Sequence, residues 1–322
     1  MSRQFIFSPV RTCFIVMLSL LLGGRTPLYS QSFAGAGSGS NAGRSGSAVI
    51  SKPSFAVQKE GHGRPMIFIP GLYCSGEVWK ETVKHFSSHY TCYTLTLPGF
   101  AGQSAIQSDS ILVTIVHELA DYIRQERIDK PVIVGHSLGG YMALAFGIYH
   151  PELAGDLVIV SSAPFLPALA MSPDISVDSA GKIGLMIRKA MVAQSPAQVR
   201  QYQQYSLGTM IRDTAKMAPV IEMAVKSDPA TQGEVMYELF SQDLRPLVGR
   251  IRSRILALSD WSAYKQYGAT RESVQTGLQA QYRQIGQGLL TIRINDLSKH
   301  FIMYDEPQWM YGQMDEFLAG AR

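Results

Sequence analysis

Short apolar runs alternate with helix-length stretches from about residue 49 to the end of the chain. Residues 66–69 (Met-Ile-Phe-Ile), 132–134 (Val-Ile-Val), 157–160 and 255–258 are continuous apolar runs, and 54–59, 91–96 and 289–294 also have strand character. A strand that is apolar without interruption is buried on both faces, as in a parallel sheet covered by helices. Between these runs the spacing predicts helices over about 76–88, 110–128, 138–149, 270–285 and 307–319. Alternation of this kind implies an α/β fold, a mostly parallel sheet with helices on both faces and right-handed crossovers.

One stretch breaks the alternation. Residues 163–250 hold no strand-like run but several helical ones, which carry Met171, Met186, Met191, Met210, Met217, Met223 and Met236. The expectation is an all-helical insertion, a lid, between two parts of an α/β core at 49–162 and 251–322. Methionines at helical spacing read first as adaptable core, and a lid over a pocket would also use them for binding.

The N-terminus has a different character. Arg3 and Arg11 precede the apolar stretch from Cys13 to Leu22, which is too short to span a bilayer as a helix, and Gly23 and Gly24 end it. Residues 1–30 read as a secretory signal peptide, with a membrane anchor as the alternative. Export to the periplasm or beyond would follow. Residues 31–48 are rich in Gly and Ser and read as a flexible linker.

Composition bounds the rest. The chain has 322 residues, 46% hydrophobic and 17% charged, which suits one large globular domain with an insertion. The formal charge of +4 belongs mostly to residues 1–30, where Arg3, Arg11 and Arg25 face no acid. A near-neutral remainder has no electrostatic footprint for nucleic acid or an anionic membrane surface. Beyond Cys13 the cysteines are Cys74 and Cys92, and sequence leaves open whether they are bridged or are two buried small apolar residues.

The chemistry gathers at Gly135-His136-Ser137-Leu138-Gly139-Gly140, which follows a buried strand and opens a helix. This is the G-x-S-x-G nucleophile elbow in its required context. A sharp strand-to-helix turn lifts the serine hydroxyl above the sheet edge, and small residues two positions to either side let neighbouring backbone pass closely. The helix N-terminus then favours a developing oxyanion. Other candidates are weaker. His136 reads as packing. His85 and His89 stand at helical spacing without a third ligand, and His117-Glu118 begins a zinc-protease motif that Asp121 breaks. Trp79, Trp261 and Trp309 read as core. No metal or organic cofactor is implied.

With that elbow the chain resembles the α/β-hydrolase superfamily over most of residues 54–322. Ile69-Pro70-Gly71-Leu72 lies where the family carries its oxyanion loop, with proline where histidine is usual, and Pro98 to Ser104 resembles its glycine-bearing loop. Asp243-Leu-Arg-Pro246 looks like the segment joining the lid to the next strand. The resemblance implies backbone donors at Leu72 and Leu138 and a general base at His300, in the loop before Asp305-Glu306-Pro307. It places the triad acid just past the strand at 255–258, where Asp260 comes about three positions early and Ala263 occupies the usual slot. Some members take the acid after the preceding strand, where this chain has Ser161 and Ser162, with Asp174 and Asp178 further along.

The reaction so implied is acyl transfer to water, since serine rather than aspartate at 137 argues against dehalogenase and epoxide hydrolase chemistry. A small or medium carboxylic ester is the expected substrate. An amide or peptide bond is the alternative, and its signature would be a carboxylate pair among Glu222, Asp228, Glu234 and Glu238. A non-catalytic ligand-binding protein with the same fold is the other reading.

Overall fold

The structure is a computed structural model that describes residues 52–320. The segments read as signal peptide and linker lie outside the described residues. Seven strands form one sheet: β1 (Ala56–Gly61), β2 (Arg64–Ile69), β3 (Tyr90–Thr96), β4 (Val132–His136), β5 (Leu157–Val160), β6 (Ile255–Asp260) and β7 (Leu290–Asn295). Their order across the sheet is β1-β3-β2-β4-β5-β6-β7, with β1 antiparallel to β3 and every other pair parallel. The continuous apolar runs predicted to be doubly buried occupy its centre, and every residue of β4, β5 and β6 is buried. The half-polar sequences β1 and β7 take the two edges, where one side of the strand meets water.

Eleven helices of α type surround this sheet among the described residues: α1 (Lys80–Phe86), α2 (Ile111–Gln125), α3 (Leu138–Tyr149), α4 (Leu166–Ala170), α5 (Val177–Val192), α6 (Pro196–Met210), α7 (Met217–Val225), α8 (Pro229–Ser241), α9 (Arg271–Gln281), α10 (Ile302–Asp305) and α11 (Pro307–Ala319). The period of two along each strand divides the core. Ile67, Ile69, Ile133 and Ile159 face α2 and α3, whereas Met66, Phe68, Val132, Val134 and Val158 face α1 and α11. Helix α3 has no charged residue and is buried from Leu138 to Ile148, so it is apolar all round and sits at the centre of the fold.

Between β5 and β6 the chain is helical, without a strand, as its pattern predicted. Local chemistry starts these helices. Ser195 and Gln198 form a capping box ahead of Pro196, and Asp228 caps α8 through the Thr231 N–H at 2.7 Å. Met191 and Met217 are buried, Met171, Met210, Met223 and Met236 pack half-buried against the core, and Met186 is exposed. The insertion also caps a core helix. Ser110 makes no side-chain cap for α2, and the buried Glu238 carboxylate of α8 accepts instead from the N–H groups of Ile111 (2.6 Å) and Leu112 (3.0 Å) and from the Ser110 hydroxyl (3.0 Å).

The strand order positions the site. From β2 the chain crosses to β3 on one side, then over β2 to β4 on the other, and continues outward through β5, β6 and β7. The crossovers diverge at the carboxyl ends of β2 and β4, and such a switch point is the place where open parallel sheets hold ligands. The loop at 70–75 and the elbow at Ser137 are the two segments that leave those ends.

Candidate active site

Ser137 stands alone between β4 and α3, with φ 51° and ψ −113°. A side chain at positive φ is strained, and such strain persists where surroundings over-determine it. Here the Ser137 N–H donates to Val160 O (2.9 Å), and its carbonyl accepts from the Tyr141 N–H (3.1 Å) in the first turn of α3. The flanking glycines are required by close approach. A Cβ on Gly135 would lie 2.1 Å from the Gly139 carbonyl oxygen, and one on Gly139 would lie 2.2 Å from the Ile69 carbonyl oxygen. Strand β4, helix α3 and the end of β2 therefore meet backbone to backbone. Leu138 is the first residue of α3, so its N–H has no intrahelical acceptor.

The 70–75 loop lies against this elbow. A Cβ on Gly71 would come 3.4 Å from Ser137 Cβ and 2.8 Å from His136 Nδ1. Leu72 follows, half-buried, and the Cys74 N–H donates back to the Gly71 carbonyl at 3.1 Å to close the turn. Tyr73 adopts φ 69° there, near the buried Gln203 of α6, and burial raises its phenol well above the usual tyrosine range. Cys74 and Cys92 are both free and buried, and burial pushes each thiol up to about 12.

His300 follows β7 through a turn that Asn295 builds, its Oδ1 accepting from the N–H groups of Leu297 (2.8 Å) and Ser298 (2.6 Å). The backbone on either side is fastened. The Lys299 N–H donates to Asp305 Oδ2 at 2.8 Å, and the Phe301 N–H donates to the Met210 carbonyl at the end of α6 at 3.1 Å. The His300 carbonyl itself accepts from His136 Nε2 at 3.0 Å, and the two imidazoles lie 4.8 Å apart, centre to centre. Since His136 immediately precedes Ser137, the structure brings His300 to the elbow. Burial pushes the His300 imidazole down to about 4, with no carboxylate opposing the shift.

Asp260 is the last residue of β6, 1% exposed, one strand beyond the end of β5. Its Oδ1 accepts from the Ser161 hydroxyl at 3.1 Å, its Oδ2 is buried, and the backbone of Asp260 and Ala263 lies beside the carboxylate. Burial raises its carboxyl to about 7, against the opposing Ser161 hydrogen bond. Among the described residues no hydrogen bond joins Asp260 to His300 or His300 to Ser137. Asp174 and Asp178 are exposed, far in character from a triad acid.

The four carboxylates that would bind a peptide amine are engaged elsewhere. Glu222 pairs with Arg200, Glu234 with Arg188 at 3.0 Å, Asp228 caps α8 and Glu238 caps α2. His85 stacks on Tyr311 at 4.3 Å and meets Asp315 at 3.2 Å, while His117 Nδ1 lies 2.8 Å from His150 Nε2. Trp79 is core, whereas Trp261, half-buried, donates to Asp296 at 2.8 Å. No three metal-ligating side chains gather among the described residues, and no helix there is long and apolar enough to cross a membrane.

The sequence reading takes His136 as packing and gives Asn295 no role. His136 had a usable signal. It continues the Val132, Val134 face of β4, so alternation places a polar ring on an otherwise apolar, covered face.

The sequence model of the Alpha/beta hydrolase family matches residues 66–312. A pimeloyl-[acyl-carrier protein] methyl ester esterase of Citrobacter koseri is 31% identical over 122 residues, which are 38% of this chain and 46% of that protein. The match thus spans about half the length of that curated relative. Among solved structures, the enol-lactonase of Burkholderia xenovorans superposes with a TM-score of 0.67 at 14% identity, covering 82% of this chain and 96% of that one. A thermophilic esterase of Thermogutta terrifontis gives 0.67 at 15% identity, with 83% and 93% covered. Likeness at such identities concerns the fold.

Proposed function

Because this chain belongs to the alpha/beta hydrolase family, we propose that it is a serine hydrolase that cleaves a small or medium carboxylic ester through an acyl-enzyme on Ser137. The observation that carries this reading is the strained Ser137 at the β4–α3 junction, in van der Waals reach of the 70–75 loop and beside the His300 segment. Ser137 Oγ attacks the ester carbonyl carbon while His300 takes its proton. The oxyanion accepts from the N–H groups of Leu72 and Leu138, and collapse expels the alcohol, which receives the proton from His300. Water then repeats the sequence on the acyl-enzyme and releases the acid.

Asp260 is assigned the role of orienting and stabilising the imidazolium. It is the buried carboxylate on the sheet's carboxyl edge, one strand from the end of β5, with the Ser161 hydroxyl on its Oδ1. Catalytic hydrogen bonds are often long in a free enzyme and tighten when substrate binds. The helical insertion serves as a lid, and its apolar, methionine-bearing packing favours an ester with an apolar acyl or alkyl part. The esterase relative points the same way. The peptide-bond alternative loses its proposed signature, since the lid carboxylates are engaged in helix caps and ion pairs. On the strength of residues 1–30, the enzyme acts after export.

The gap between Asp260 and His300 favours one competing reading, a ligand-binding protein without turnover. A fluorophosphonate probe separates the two. The hydrolase labels covalently at Ser137, Ser137→Ala does not, and Asp260→Asn labels slowly. An acyl-chain-length series of esters then defines the substrate. A folded wild-type protein that binds small esters yet never labels would reject the hydrolase.

A further inference from the structure

We infer that His136 is a positioning residue for His300: its Nε2–H holds the backbone carbonyl of the base, and its ring sets the orientation of the base's ring. This rests on the reading of His300 as the base of Ser137. His136 is 1% exposed and packs among Trp79 (6.4 Å between centres), Phe301 (4.7 Å) and His300 (4.8 Å). A phenylalanine would fill that apolar space equally well, so packing alone does not account for an imidazole.

Hydrogen bonding does account for it. A carbonyl only accepts, so the 3.0 Å contact with the His300 carbonyl requires the proton on Nε2. Nδ1 is then a bare acceptor, buried and with no hydrogen-bond partner among the described residues, on the side where a Cβ at Gly71 would stand. An apolar ring would avoid that unpaired acceptor, so the contact that explains the residue is the one to His300. Burial and the neighbouring His300 both hold the His136 imidazole well below the usual histidine range, which keeps it neutral and the tautomer fixed.

The placement gives this bond its consequence. His136 is covalently next to Ser137, so the nucleophile and the clamp on the base are carried by one strand end. Lys299 and Phe301 are tied to Asp305 and Met210, which are parts of the His300 segment's own helix and of the insertion. Among these ties, the His136 bond is the one that refers the position of His300 directly to the elbow. Without it, the peptide plane of His300 is free to turn, and the imidazole leaves the line of the Ser137 hydroxyl.

Three substitutions test this. His136→Phe keeps a ring and removes the donor. His136→Gln puts an amide N–H as many bonds from Cβ as Nε2 is, and His136→Asn puts one only as far as Nδ1. The fluorophosphonate labelling rate is followed against pH, with thermal melts to establish that each variant is folded. The expected result is a loss of roughly 10- to 100-fold for His136→Phe and His136→Asn, the scale of a misplacement approaching 1 Å. His136→Gln should recover most of the rate, and an ester substrate should show the loss in kcat rather than KM. Equal rates and pH profiles in wild type and His136→Phe, or equal losses in the phenylalanine and glutamine variants, would overturn the inference. Failure of the hydrolase reading shows separately, as a wild-type protein that does not label. In that case long-range ¹H–¹⁵N spectra still decide: a neutral His136 protonated at Nε2, with a His300 ring signal that moves in His136→Phe and returns in His136→Gln, supports the clamp, and protonation at Nδ1 refutes it.

Discussion

Adding one methyl group at Gly139 should disable the site while leaving a folded protein. The Cβ of Gly139→Ala would sit 2.2 Å from the Ile69 carbonyl oxygen and 2.7 Å from that of Pro70, whereas Cβ contacts under 3.0 Å essentially do not occur. Both obstacles are backbone, so α3 and the end of β2 must part by about 1 Å. Overpacking of this kind costs about 1–3 kcal/mol, and better helix propensity returns up to ~1 kcal/mol. A net loss near 1 kcal/mol lowers the melting temperature by roughly 2–4 °C in a chain of this size.

The catalytic effect should be larger than the stability effect suggests. The gap opens between Leu138 at the start of α3 and the loop carrying Leu72, the two backbone donors assigned to the oxyanion. Losing one such donor costs about 100- to 1,000-fold in rate, and a 1 Å misplacement about 100-fold. Labelling by a fluorophosphonate reads this without knowledge of the substrate, and a fall of about 100-fold is expected. Gly140→Ala, whose Cβ meets the Ser162 side chain at 2.6 Å, should fall between that variant and Gly277→Ala, which has open space in α9. Gly277→Ala should label normally and melt slightly higher. If Gly139→Ala labels at the wild-type rate, the assignment of the oxyanion donors to these two segments is wrong.

Further outcomes follow from the same geometry. Ser137→Gly should raise stability by about 1 kcal/mol, because glycine relieves the strain of φ 51°, and should abolish labelling; an unchanged melting curve would deny that the elbow is strained. Activity should fall in two steps on acidification, first near pH 7 as Asp260 takes up its proton and loses the charge assigned to the imidazolium, then near pH 4 as His300 itself is protonated. With His300 held down to about 4, the unfolded chain binds more protons between pH 4 and 6.5, so this histidine makes stability fall as pH drops from 6.5 towards 4. Asp260 acts in the opposite sense: with its carboxyl raised to about 7, the folded state binds the extra proton, and stability falls as pH rises from about 4 through 7. Asp260→Asn should therefore gain on wild type across that window, reaching at most about 4 kcal/mol by pH 8, and denaturant melts at pH 4 and pH 8 check it. Glu238→Ala should lose about 1–3 kcal/mol, since it strips the acceptor from two N–H groups at the start of α2, and hydrogen exchange should rise first at Ile111 and Leu112.

Much of this protein was legible before any coordinates. All seven strands, the helices flanking them and the strand-free insertion fall where apolar runs and helical periods put them, because both signals lie within a few consecutive residues. The elbow was equally plain. Its demands for small residues beside Ser137 are met by Gly135 and Gly139, which are bonded into the same short segment. What sequence left open at Asp260 has a physical origin. Its position at a strand end is local, but whether its carboxylate meets Ser161 or His300 depends on how far two separate loops fold over the sheet edge.

Tertiary structure decided which distant residues share a contact. Glu238 caps a helix that begins 127 residues earlier, and His136, which the sequence reading takes as packing, holds a carbonyl 164 residues later. Such pairings depend on strand order and on the rotation of each helix about its axis. Neither is written in any local pattern. The chain by itself determined the elements and the serine's strained perch, since nearby residues enforce both; the partners of its buried polar groups emerged only when the sheet was assembled and each of those groups had to find a donor or acceptor away from water.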